Sequence, residues 1–67
     1  MDINDVLFLQ IHIASLYCRK HKLSTKQFLE LDKRCNFLGF IEKAYEPFHL
    51  TGDKGILEEM DKYVASV

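Results

Sequence analysis

Hydrophobic residues recur along this chain at the spacing of a helix rather than of a strand. Between Asp2 and about Lys20, the residues Ile3, Val6, Leu7, Leu9, Ile11, Ile13, Ala14, Leu16, Tyr17 and Cys18 project onto an arc of roughly 220° at about 100° per residue, over twice the width a core-facing stripe requires. Leu7, Leu9, Ile11 and Ile13 also alternate as a strand would. The apolar set nevertheless continues, without a turn signal, for longer than strands run. Acidic residues open this stretch and Arg19, Lys20 and His21 close it, the order that the helix dipole favours. A first and longest helix follows from this pattern, covered on two sides: it is central to the fold or lends one side to a second chain.

Two residues break its pattern. Gln10 falls inside the apolar arc, where a buried amide without partners costs roughly 1–3 kcal/mol. It is read either as an edge-of-core side chain reaching solvent or as a polar contact that fixes register in a dimer or complex. Phe8 is the converse, an aromatic projecting with Asp5, His12, Ser15 and Arg19 on the polar side. Aromatic residues are enriched at interfaces.

Ser24 followed three residues later by Gln27 is a capping box, and Leu23 with Phe28 occupies the staple positions around it. Phe28, Leu31 and Cys35 continue at helical spacing until Asn36, a residue that tolerates the left-handed conformation of a helix end. A second helix is expected from Thr25 to about Arg34. Asp32 lies in its apolar stripe, to be satisfied by Arg34, Lys33, Gln10 or a free helix terminus. A third helix begins at Phe37 and should stop near Tyr45, because Pro47 lacks an N–H and disfavours helical geometry at Glu46. His49-Leu50-Thr51-Gly52 is then a connector, with Thr51 or Asp53 capping a fourth helix to about Ala65. Ile56, Leu57, Met60, Tyr63, Val64 and Val67 of that stretch fall within an arc of about 120°, and Glu58 can pair with Lys62 at i, i+4. The predicted architecture is all-α: a compact four-helix domain over residues 1–67, its long N-terminal helix packed by three shorter ones.

At 67 residues, a single core is only marginally stable without staples or self-association. With 48% apolar residues, some apolar surface has no room inside. A formal charge of −1 argues against a nucleic-acid binder, which needs a clustered basic face. The third helix, read as the recognition helix of a helix-turn-helix, carries one cation and two acids and nothing to read a base edge. Val6 to Leu9 is too short an apolar run to span a bilayer. Two cysteines, Cys18 and Cys35, and a start lacking secretory-signal character point to packed thiols in a reducing cytoplasm.

Little chemistry can be assembled from these residues. Cys18-x-x-His21 has no second pair at zinc-ligand spacing, and a Cys–His nucleophile, Cys18 with His21 or Cys35 with His49, would also need an oriented base and a cleft. Gly39, Gly52 and Gly55 do not form a phosphate-binding loop. No metal, cofactor or catalytic residue is therefore predicted. His49, after Pro47-Phe48, is read as a structural polar residue, its ring capping a helix end or bonding a backbone carbonyl, so that His49→Ala should lower thermal stability.

The segments Phe40-Ile41-Glu42-Lys43-Ala44-Tyr45, Phe48-His49-Leu50-Thr51-Gly52 and Ile56-Leu57-Glu58-Glu59-Met60-Asp61, with Phe8-Leu9 and Ser24 further back, resemble a family of short bacterial proteins known only as a domain of unknown function. Members usually place Thr directly after the His; here Leu50 stands there and Thr51 follows. The resemblance implies no activity. It implies an encoded neighbour similar to ADP-ribosyltransferases, hence a toxin-neutralising subunit.

Taken together, these readings favour a non-enzymatic interaction module, binding itself as a homo-oligomer or sequestering a larger protein through Phe8, Gln10, His12 and Ser15. A small-molecule or enzymatic site near His49, Tyr45 and Asp32 is the alternative, and a DNA-binding regulator a weaker one.

Overall fold

A computed structural model describes residues 2–67 of the chain. It contains five helices among those residues and no strand: α1 (Ile3–His21), α2 (Thr25–Cys35), α3 (Phe37–Lys43), α4 (Tyr45–Phe48) and α5 (Asp53–Ser66). Local chemistry sets most boundaries. The Asp2 carboxylate accepts from the Asn4 N–H at 2.9 Å and caps α1. Its far end turns at Lys22, in the left-handed region with φ 54°, so that the Leu23 N–H returns to the Cys18 carbonyl at 2.9 Å. The capping box forms in both directions: the Gln27 N–H donates to Ser24 Oγ at 3.1 Å, and the Ser24 N–H to Gln27 Oε1 at 2.8 Å. Asn36, with φ 56°, closes α2.

The expected third helix is instead two. α3 ends at Lys43, Ala44 leaves helical geometry (φ −95°, ψ 12°), and the chain re-enters a helix at Tyr45 with Pro47 inside it. Pro47 is tolerated because it stands in the first turn of α4, where an N–H would have had no intrahelical partner. Its missing bond is confined to the bend at Ala44, which redirects the chain so that Phe48 enters the core. Before α5, neither Thr51 nor Asp53 acts as the cap. Gly52 occupies that position, the Thr51 hydroxyl donates back to the Pro47 carbonyl at 2.9 Å, and Asp53 turns toward α1. Lys62 pairs with Glu59 at 3.5 Å rather than with Glu58.

The core gathers around α3, not around α1 alone. Phe37 and Ile41 of α3 are fully buried, among Ile13 and Tyr17 of α1, Phe28 of α2, Phe48 of α4, and Ile56 and Met60 of α5. The Phe37 ring meets Tyr17 at 4.8 Å and Phe28 at 5.1 Å, both edge-on, and so joins α1 to α2. Phe40 stacks on Tyr63 of α5 at 4.0 Å. α2 accordingly reaches the body mainly through α3, while α1 packs on both α3 and α5.

Polar groups complete this junction. The Leu38 N–H donates to Asp32 Oδ1 at 2.9 Å and the Leu38 carbonyl accepts from Gln10 Nε2 at 2.8 Å, so α2 and α1 each hold one side of a single α3 residue. The Tyr63 hydroxyl donates to the Cys35 carbonyl from α5. A Cβ at Gly39 would collide with the Asn36 side chain, which lies across the first turn of α3.

α1 and α5 run in the same direction. His12 meets Asp53 at 2.9 Å and Lys20 meets Asp61 at 2.5 Å, both at a separation of 41 residues, with His21 meeting Asp61 at 2.7 Å. A constant offset at two points eight residues apart requires parallel helices in register.

Asp32→Ala should therefore destabilise the protein by about 1–2 kcal/mol, because it leaves the half-buried Leu38 N–H without an acceptor. Asp32→Asn, which keeps the oxygen, should recover most of that loss in urea denaturation. Ile41→Ala, at a fully buried position, should cost about 2–5 kcal/mol by the same measurement.

Candidate protein-interaction face

α1 buries Val6, Ile13 and Tyr17 and leaves a different face open. Ile3, Leu7 and Ile11 follow at intervals of four, with Phe8 beside them, and these side chains are 70%, 48%, 69% and 72% exposed respectively. They share an arc of roughly 140°. The side of the helix toward α3 and α5 cannot accommodate them, because Ile13 and Tyr17 already fill it. Four large exposed hydrophobes on one helix amount to roughly 500 Å², toward the upper end of what a single soluble body ordinarily shows as one patch.

Further along the same face the side chains become small. Ala14 and Cys18 are half-buried and Ser15 is exposed. His12 borders the patch. Its ring stacks on Phe8 at 5.9 Å between centroids, 11° from parallel, and its Nε2 meets Asp53 Oδ2 at 2.9 Å. Phe8 is thus oriented by a side chain that is itself tied to α5.

Of the residues expected to bind a partner, Phe8, His12 and Ser15 lie on or beside this face. Gln10 does not. Its amide is turned inward and donates to the Leu38 carbonyl. Asp32 is likewise held at Leu38. His49 lies apart from this face, at the C-cap of α4. The ring stacks on Tyr45 at 5.1 Å and stands 3.7 Å from Glu46 Oε2, while its backbone N–H closes the turn on the Tyr45 carbonyl at 2.8 Å. The turn is made by the main chain, so the imidazole is left over for the surface. His49 and Asp32 share no hydrogen-bond partner.

Burial pushes the Cys18 and Cys35 thiols up, which favours their protonated form at neutral pH. Desolvation, followed by the charges of Asp5, Glu46 and Asp2, raises the Tyr45 phenol, which keeps it a neutral hydroxyl. Asp61 is shifted the other way: its hydrogen bond from Lys20 outweighs the cost of desolvation and, with the weaker bond to His21, holds its carboxyl below the usual range.

One concave feature was not foreseen. An open groove of about 430 Å³ runs between the last turn of α1 and α2, lined by Tyr17, His21, Leu23, Gln27, Glu30 and Arg34 among others. Two of its polar groups are already engaged, Gln27 in the capping box and His21 with Asp61. No local pattern announces it, since it exists only once α2 has docked beside α1.

The class defined by these features is a small all-helical protein with an apolar face left open on its longest helix. The match to the family described as "Protein of unknown function (DUF3791)" covers residues 9–66, and the chain belongs to that family. No curated protein and no solved structure matches the chain. No helix is long and apolar enough to cross a membrane among the described residues.

The Asp61 contacts generate a pH dependence. A carboxyl lowered in the folded state adds stability that is complete above its unfolded pKa, near 4, and is lost as the pH falls through the lower folded value. Asp61→Asn should therefore lower the melting temperature at neutral pH and flatten its acid-side decline. His49→Ala, at an exposed residue whose ring stacks on Tyr45 beside Glu46, should change stability by less than about 1 kcal/mol.

Proposed function

We propose that this protein is a non-enzymatic interaction module that presents the open face of α1 to another polypeptide. The supporting observation is the placement of Ile3, Leu7, Phe8 and Ile11 on the surface of a chain whose small core leaves no stable reason to keep them in water. Covering each of them is worth roughly 1.5–3 kcal/mol before the costs of association. Fixed orientation of Phe8 by His12 adds to this reading, because a ring already positioned loses less freedom on contact.

The family resemblance gives the module a specific form, a small subunit that neutralises a larger ADP-ribosyltransferase-like protein encoded beside it. No convergence of polar groups around His49, Tyr45 and Asp32 favours a small-molecule or enzymatic site over this, and the net charge of −1 does not favour DNA.

A photo-crosslinking phenylalanine analogue at position 8, introduced in the native host, tests the reading. A discrete protein adduct should form and should disappear when Ile11→Glu is added, with helicity unchanged. Absence of any adduct from position 8, alongside efficient crosslinking by a control protein, would end the interaction-face proposal.

A further inference from the structure

The open face of α1 is complementary to itself. Its N-terminal half carries the bulky exposed residues Ile3, Leu7 and Phe8; its C-terminal half carries the exposed Ser15, flanked by Ala14 and Cys18, which are half-buried against the core; and Ile11 stands between them. Two such helices laid antiparallel about a two-fold axis near Ile11 set large side chains against small ones on both sides of the axis. Leu7 then faces the partner's Ala14 along one edge, and Phe8 faces the partner's Ser15 along the other. Ile11 meets its own copy.

Charge follows the same pattern. Asp5 and Arg19 lie on the edge of the face that also holds Phe8 and His12, at opposite ends of the helix. In an antiparallel two-fold pair, each edge of one helix meets the same edge of the other. Asp5 is thereby brought toward the partner's Arg19, and the reciprocal contact forms with it. Among the described residues, neither Asp5 nor Arg19 has an ion-pair partner within the chain, whereas the neighbouring Lys20 and His21 are held by Asp61. A parallel pairing would leave Asp5 and the partner's Arg19 at opposite ends of the pair, out of each other's reach. The helix dipoles also oppose in the antiparallel arrangement.

The area is sufficient. The four exposed hydrophobes of two copies contribute about 1,000 Å², and Asn4, Ser15 and Arg19 around them carry the total into the range of about 1,200–2,000 Å² that specific pairs bury.

From bulk, charge and area together, we infer that the occupant of this face is a second copy of the same chain, docked antiparallel through α1 about an axis near Ile11. This rests on the interaction-face reading above and names its partner.

Sedimentation equilibrium from about 1 μM to 1 mM should show a monomer–dimer equilibrium with dissociation constant inside that window. Ile11→Glu, at a position exposed in the single chain, should leave the circular dichroism spectrum unchanged and weaken pairing at least about 100-fold, since two carboxylates would meet at the axis. Asp5→Arg or Arg19→Asp alone should weaken it by roughly tenfold, and the double variant D5R/R19D should restore it. Restoration by the double variant identifies the antiparallel arrangement, because in a parallel pair position 5 and the partner's position 19 stand at opposite ends and cannot compensate each other.

A wild-type chain that remains monomeric to 1 mM overturns the self-pairing. If position 8 still crosslinks to a different protein in the host, the interaction-face reading stands with another partner. If the chain dimerises but Ile11→Glu and both charge reversals leave the constant unchanged, the pairing uses another surface and the inference fails. If, in that case, position 8 also gives no adduct, the interaction-face reading fails with it.

Discussion

The fold depends on how α3 is held. Seven residues are too few to persist as a helix in isolation, and α3 is stabilised instead by what surrounds it. Phe37 and Ile41 are buried against every other helix's contribution to the core, while Leu38 is bonded on its N–H by Asp32 and on its carbonyl by Gln10. Apolar contact alone would allow α3 to rotate or slide among similar packings. The two Leu38 bonds remove that freedom, because a helix turned by one residue would present a different N–H and carbonyl to Asp32 and Gln10. The Tyr63 hydroxyl on the Cys35 carbonyl extends the same restraint to α5. The open face of α1 is a by-product of this arrangement: by turning Gln10, Ile13 and Tyr17 toward α3, the helix must turn Ile3, Leu7, Phe8 and Ile11 away from it.

Much of the local structure was legible because it is written in neighbouring residues. Asp2 at the start of α1, the Ser24–Gln27 box and the left-handed Asn36 all act within a few positions of themselves, and the excess apolar arc of α1 could be counted before any fold was known. What lay further apart in the chain was not legible. Gln10 and Leu38 are separated by 28 residues, and nothing in the vicinity of either says that one will satisfy the other; locally, Gln10 has the character of a solvent or partner contact. Pro47 misled for a different reason. Its effect depends on where it falls within a helical turn, and the bend at Ala44 that places it in a first turn is set by the need to bring Phe48 inside. His49 was singled out for its setting beside that bend, yet the main chain alone completes the turn and the ring rests on Tyr45. The groove between α1 and α2 has no sequence signature at all.

The parallel disposition of α1 and α5 has a bearing on how the molecule comes to exist. Helices that run the same way cannot be joined by a tight hairpin, so everything from Lys22 to Gly52 serves as the crossover between them. Contacts within α2 and α3 are close in sequence and available early. Those at His12–Asp53 and Lys20–Asp61 close loops of forty residues, the slowest kind of contact for a short helical chain to find. On the ribosome, then, the flank of α1 that meets α5 stays uncovered until Asp53–Ser66 has emerged, and its outward flank is bare at the same moment during synthesis.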